Sequence, residues 1–449
     1  MAGSTSAPLL TLPSRHAYPA GAILSGKFPY SRKGAETTAT REPEFAAGTP
    51  SLLRAINERN LLDLIRREGA MSRAQAARRS GLSKPTVSLA LSELEQAGLV
   101  RRAGRAQGPK GPGAVVYGLN PESGWVVGID VGSHWVRGAL ADISGTVRAR
   151  RDQRTRRGAA ATAAQIREMA HGMAAEHGLD WSRVNHATVG LPGVVDPLGT
   201  RLALSSNLPG ARRGLIDAIR GRLGSSVSFE NDVNLAALGE QAHGAGRGVQ
   251  HSVFIWVGTG IGLGIIVDGR LYRGASGAAG EIAYMPVGPG DPHDRVYRRR
   301  GQLEETAAAA AVRGLARGDG LRSTSPKSVF AAARRGEHTA LAVVEQIAGR
   351  IALAIAAVVP VLDPELVILG GGIAGNGGDL LREPIERELH RLSPFRPALA
   401  VSELGDEVVL HGAVATALSA AQRSVFDRGR NGRARETVSQ SIATGGEAR

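Results

Sequence analysis

The sequence predicts an α/β protein in two parts: an N-terminal winged helix-turn-helix followed by a larger, two-lobed domain. Three observations carry that expectation. A capped helix–turn–helix pattern runs from Ser72 to Leu94, a strand–glycine turn–strand unit occurs twice further on, and much of the chain's basic excess surrounds the first pattern.

In the first part, Ser72 stands as a cap before Arg73–Ser80, and Gly81-Leu82 supplies a tight turn that glycine adopts at least cost. A second helix starts at Ser83. Its Val87, Leu91 and Leu94 recur at helical spacing and face a small core, which leaves Lys84, Thr86, Ser88 and Ser92 outward. Short polar side chains with one cation suit a major groove. After Val100, the run Arg101-Arg102-Ala103-Gly104-Arg105, the Gly/Pro-rich turn from Gly108 to Gly113 and the apolar Ala114–Tyr117 read as a β-hairpin wing. Its cations would sit on phosphates. The candidate DNA contacts are therefore Arg73, Ser83, Lys84, Thr86, Ser88, Arg101, Arg102 and Arg105. Between Ser51 and Asn120 stand twelve Lys/Arg against five Asp/Glu, so this stretch holds +7 of the formal +14 charge. A basic patch of that density is the footprint of a protein that binds double-stranded DNA.

The length of 449 residues leaves room for a second domain or domain pair. The absence of cysteine excludes disulfides, thiolate metal sites and cysteine nucleophiles. No apolar run is expected to approach the ~18 residues of a membrane span, and the first residues lack a secretory pattern. The expectation is a cytoplasmic protein with no membrane partner. Composition marks 1–50 and 427–449 as disordered tails, with the winged helix over 51–120 and the two-lobed domain over 121–426.

The second domain opens with the apolar strand Trp125–Val131, which carries Asp130, turns at Gly132-Ser133 and returns over Val136–Asp142. The same grammar reappears where Val253–Val257 leads into Gly258-Thr259-Gly260-Ile261-Gly262-Leu263-Gly264 and the strand Ile265–Val267. Two such units, each followed by helices, imply two α/β lobes with a cleft between them. Buried hairpins with an Asp at the tip open actin-like ATPase and sugar-kinase folds, where the turns hold nucleotide phosphates. Glu230-Asn231-Asp232 has a plainer reading too, with Asp232 capping a helix over Val233–Gln241. Thr306–Leu315 and Ile347–Val359 are Ala-rich runs that suit close helix packing, and Arg295–Arg300 reads as a solvated basic loop.

Six segments together resemble the ROK family of repressors and sugar kinases: Asn207–Gly210, Glu230–Asn234, Gly258–Gly260, Asp268–Gly274, Gly277–Ile282 and Asp363–Gly372. With the upstream winged helix, the chain is similar to the family's regulator branch, such as repressors of xylose and N-acetylglucosamine genes. The resemblance implies a sugar cleft with Asn207, Asn231, Asp232, Glu281, Tyr284 and Glu304 at sugar-contacting positions. It places Asp232 on the general base of the kinases and Asp130, Gly132, Ser133, Gly258, Thr259 and Gly260 on the two phosphate loops.

Departures from the family pattern favour a sensor over a kinase. The kinases carry Asp-x-Gly-Gly-Thr in the first turn, whereas this chain has Asp130-Val131-Gly132-Ser133-His134. Leu263 is expected to interrupt the second Gly-rich loop. The family's zinc ligands fall on Tyr284, Arg295, Tyr297 and Gln302, and zinc wants thiolate or imidazole. The sequence thus predicts neither zinc nor ATP as a cofactor and no catalytic residue in use. It predicts a DNA-binding regulator, in the sense of a repressor, that works as a homodimer or homotetramer and answers to a sugar. An active hexose kinase carrying a DNA-binding module is the alternative.

Overall fold

The computed structural model describes residues 50–105, 113–204, 214–224, 226–422 and 424. Of the tails expected over 1–50 and 427–449, all but Pro50, the first residue of a helix, lie outside the described residues, as do 108–112 of the expected wing turn and Asn207. From Leu53 onward the chain forms one compact unit.

The winged helix comprises α1 (Pro50–Glu68), β1 (Met71–Ser72), α2 (Arg73–Ser80), α3 (Lys84–Gln96), β2 (Val100–Arg105) and β3 (Val115–Leu119). Ser72 caps α2 reciprocally: its hydroxyl accepts from the Gln75 amide while Gln75 Oε1 accepts from the Ser72 amide. Gly81, at φ 72°, ends that helix in the left-handed conformation expected of it. Ser83 caps α3, and Val87, Leu91 and Leu94 are buried as the spacing predicts. Two elements are not signalled by that pattern. α1 adds Leu61, Leu64 and Ile65 to the core, and β1 completes a sheet of order β1-β3-β2 by pairing Met71 with Tyr117.

The first lobe contains β4 (Trp125–Val131), β5 (Trp135–Asp142), β6 (Val147–Arg154), α4 (Ala159–Glu176), β7 (Val184–Leu191), β8 (Val194–Val195), β9 (Leu202–Ala203), α5 (Leu215–Leu223) and β10 (Val227–Asn231). Its sheet order is β10-β7-β4-β5-β6, with β4 antiparallel to β5 and parallel to β7. α6 (Asp232–His243) then leads to the second lobe. That lobe contains β11 (Ser252–Val257), β12 (Ile261–Val267), β13 (Arg270–Leu271), α7 (Arg295–Arg300), α8 (Gln302–Ala307), α9 (Ala309–Gly318), α10 (Pro326–Arg334), α11 (His338–Leu362), β14 (Leu366–Gly370), α12 (Gly371–Gly377), α13 (Asp379–Leu392) and β15 (Ala398–Val401). Its order, β13-β12-β11-β14-β15, repeats the plan of the first: a central strand with an antiparallel hairpin on one side and parallel strands on the other. A last helix, α14, spans 408–422.

Strand alternation sends β4 to two cores. Val127, Ile129 and Val131 pack with Ile166, Met169 and Met173 of α4, while Val126 packs with Leu410, Val414 and Ala417 of α14. The start of α14 packs with α6 and the second sheet, through Val408, Val409 and Ala413 against Leu235, Phe254 and Ile368. Glycine makes that crossing possible: a Cβ on Gly412 would lie 1.8 Å from the Leu235 carbonyl oxygen, and one on Gly239 2.3 Å from that of Val408.

Four sequence readings change here. Leu263 is not part of a loop; it is buried in β12, paired with Ile255, so the second Gly turn is Gly258–Gly260 alone. The run Thr306–Leu315 is broken at Ala308, whose extended backbone separates α8 from α9. Arg295–Arg300 is helical, with Arg300 paired to Glu304 and Glu305. α11 is long and apolar enough to cross a membrane, yet Ile347, Ile351 and Ile355 pack in the second-lobe core with Val312, Phe330 and Ile385.

Candidate functional site

The outer face of the winged helix is cationic and mostly exposed. Ser83 and Lys84 stand at the exposed start of α3, and Ser88 is half-buried one turn on. The hydroxyls of Ser83 and Thr86 lie 2.8 Å apart, and Ser83 Oγ accepts from the Thr86 amide at 3.3 Å, so these two side chains also hold the cap. Arg73 lays its guanidinium over the Tyr117 ring at 5.0 Å. Arg101 and Arg105 are exposed on β2 and make no ion pair among the described residues. Arg102 differs from the expectation. Its Nε donates to Glu95 Oε1 at 2.9 Å, so part of its charge is already matched by α3.

A cleft of about 570 Å³ lies between the lobes, lined by both glycine turns, by the exposed Asp406 and by four desolvated carboxylates, Asp130, Asp232, Glu281 and Glu304. Topology brings them together. Asp130 is the penultimate residue of β4, Asp232 opens α6 where β10 stops, Glu281 precedes a single 3-10 turn, and Glu304 sits in α8. Asp130 accepts from Arg137 Nη1 at 3.2 Å, yet burial outweighs that cation and pushes its pKa up to about 6. Burial, then Asp130 and Glu281, push Asp232 up to about 7. Burial and Glu304 push Glu281 up to about 7 as well. Glu304 is raised by burial, against the Ile261 amide that donates to its Oε2 at 3.2 Å. Proximate, desolvated acids with hydrogen-bonding capacity to spare suit a ligand rich in hydroxyls.

The helix-cap reading of Asp232 is corrected. Asn231 is the cap, accepting from the Asn234 amide at 2.9 Å and donating from Nδ2 to the Gly193 carbonyl at 3.1 Å. Asp232 accepts from the amide of Val233 at 2.9 Å and lines the cleft. An ion pair not anticipated from sequence joins two motifs: Arg273 Nε lies 2.6 Å from Glu230 Oε2, and Asn234 Nδ2 donates to the other oxygen of that buried carboxylate. Two glycines, both at positive φ, let the segment before Glu281 approach its neighbours. A Cβ on Gly277 would lie 2.2 Å from the Val195 oxygen, and one on Gly280 1.8 Å from that of Leu263.

The glycine turns differ. In the first, Gly132 donates its amide to the Trp135 carbonyl, and Ser133 Oγ lies 2.8 Å from His134 Nδ1, both side chains exposed at the cleft. The second is bare, with Gly258 bonded to Gly260 and its carbonyl accepting from Ala309, the first residue of α9. Arg313, Ser325, Lys327 and Asn376 complete the far wall and were missed in the sequence. Ser325 alone carried a signal, as the cap before Pro326.

Residues 126–420 match the ROK family, and 54–101 match a winged helix-turn-helix DNA-binding family. The chain belongs to the ROK family. A glucokinase of Thermotoga maritima is 33% identical over 47% of this chain and 70% of its own length. A xylose repressor of Caldicellulosiruptor bescii is 24% identical over 83% of this chain and 98% of its own. The fold of this ROK protein resembles that of a ROK transcriptional regulator described as a homologue of the E. coli MLC protein, with a TM-score of 0.70 and 22% identity over 84% of this chain and 98% of that one.

Of the ROK sugar set inferred from resemblance, Tyr284 is not among the residues that line the cleft. Asn207 lies outside the described residues. Tyr284 is exposed and directs its hydroxyl to the Arg299 carbonyl at 3.4 Å, away from the cleft lining. The ROK zinc pattern does not fit the residues present. The chain has no cysteine, and no three His, Cys, Asp or Glu side chains gather in a metal-binding group among the described residues.

Proposed function

We propose that this chain is a sugar-responsive transcriptional repressor that binds its operator as a homodimer or homotetramer. The observation that carries the reading is the union, in one compact unit, of a winged helix with exposed unpaired cations and a cleft with four desolvated carboxylates. A relative named xylose repressor aligns across both parts and over 98% of its own length, which supports the same pairing of tasks. Lys84 and its neighbours on α3 would read base edges, while Arg101 and Arg105 hold phosphates. A sugar held by Asp232, Glu281 and Glu304 would favour one arrangement of the lobes and so change the affinity for DNA. The test is fluorescence anisotropy with operator selected from random duplexes, with and without D-xylose, D-glucose and amino sugars. Operator binding that one sugar weakens supports the proposal. Absence of any specific duplex binding overturns it.

The kinase reading draws on Asp232 and on the bare second turn, and the burial of Leu263 in β12 removes one argument against it. Ser133 and His134 in the first turn still weigh against nucleotide phosphate there. A coupled phosphorylation assay over hexoses decides: ATP-dependent turnover lost in Asp232→Asn would replace the sensor by an enzyme.

A further inference from the structure

The place where the family pattern puts zinc is filled here by hydrogen bonds. Gln302, 4% exposed at the start of α8, aims Nε2 at three consecutive carbonyls: Gly288 at 3.0 Å, Pro289 at 3.3 Å and Gly290 at 3.3 Å. Tyr297 on α7 donates its hydroxyl to the Pro289 carbonyl at 3.0 Å. Thr306, one turn beyond Gln302 and also buried, lies 3.4 Å from the Val287 carbonyl and donates to Gln302 O at 2.7 Å. The loop 287–290 is thus held by side chains of α7 and α8. Three converging carbonyls call for a donor, which fixes the amide's orientation and leaves Oε1 buried without a partner.

This clamp connects directly to the cleft. Glu304 lies two residues after Gln302 on the same helix and holds the Ile261 amide beside the second glycine turn. Gly301, at φ 88°, joins α7 to α8 against the turn that follows Glu281; a Cβ there would lie 2.1 Å from the Ala283 oxygen. Movement of α8 therefore shifts Glu304 and displaces its contact with the Glu281 segment.

We propose that Gln302, assisted by Tyr297, is the positioning residue of the cleft: a metal-free clamp that sets Glu304 against Glu281 where the family pattern uses zinc. The inference rests on reading the cleft as the effector site, and its first readout is independent of any effector. Gln302→Glu keeps the shape but presents a carboxylate to three carbonyls at neutral pH, and regains a donor when protonated. In the full chain, we expect amide-exchange protection at Val287, whose N–H donates to the Met285 carbonyl, to fall about tenfold at about pH 8 and to recover near pH 5. Gln302→Leu should lose it at both. D-Glucose and D-xylose serve as probes in calorimetry. Whichever binds the wild type should bind Gln302→Glu about tenfold more weakly at about pH 8 and recover near pH 5, with sugar-free operator affinity unchanged. EDTA should leave the wild-type melting temperature and protection untouched. Unchanged protection in Gln302→Glu, undiminished probe affinity once protection is lost, or a stoichiometric zinc that raises wild-type protection would each overturn the clamp. If neither sugar binds the wild type, the effector reading falls while the exchange data still decide the clamp.

Discussion

The winged helix and the cleft handle charge in opposite ways. The first carries cations on exposed surface, where hydration costs little to keep and a polyanion can replace it. The second withdraws carboxylates from water until Asp130 rises to about 6 and Asp232 and Glu281 to about 7. On the proposed function the exposed face would bind by excess charge and be tuned by salt, whereas the cleft stores an unfavourable desolvation that a matching ligand would relieve. Proximity to an opposite charge alters each region locally, as Glu95 does to Arg102 and Arg137 does to Asp130.

The most damaging change should be one that destroys the seam between lobes without touching either charge set. Gly412→Ala drives a methyl into the Leu235 carbonyl, and we expect it to cost more than about 3 kcal/mol, read as a lower melting temperature. Asp232→Asn should stabilise the ligand-free protein at about pH 8. A carboxyl raised in the folded state favours folding while protonated; that contribution is full below the ordinary carboxylate pKa and is lost as pH rises to about 7. The variant's advantage should therefore vanish below about pH 4, and an advantage constant with pH would contradict the desolvation account. Asp232→Asn should also lose the sugar response with operator affinity intact. Lys84→Ala should weaken operator binding by about 1–3 kcal/mol and blur base preference, seen by comparing operator variants. Smallest is the wing: Arg101→Ala and Arg105→Ala should each reduce the salt slope of binding by about 1, and Arg102→Ala by clearly less, because Glu95 already holds it.

Local features were the legible ones. Ser72, Gly81 and Ser83 are caps whose geometry follows from adjacent residues, and the hairpin strands follow from short continuous apolar runs on either side of a glycine turn. What escaped the sequence depends on contacts far along the chain. Arg102 meets Glu95 only once the wing folds back, and Asn231 takes the cap from Asp232 because Gly193 accepts its amide. Leu263 resembles a loop residue among glycines, but those glycines are needed for packing: a Cβ on Gly264 would lie 2.5 Å from that of Ala237 in α6. The four desolvated cleft acids were named from motif resemblance. Their convergence required two sheets built on one plan, and Tyr284, from the same resemblance, turned away.

α14 gives the molecule a mechanical axle. At about 1.5 Å per residue its fifteen residues, over 408–422, span roughly 22 Å. Val409 at one end lines the cleft, while Ser419 and Gln422 at the other line a hollow of about 210 Å³ with Arg59, Leu62, Asp63 and Arg66 of α1. Midway, Val414 beds against β4 where Gly128 has no side chain. A rod gripped this closely transmits torque instead of absorbing it, so under the proposed sugar response the stiffness of a few packed methyl groups would set how much of a ligand's grip arrives at the winged helix.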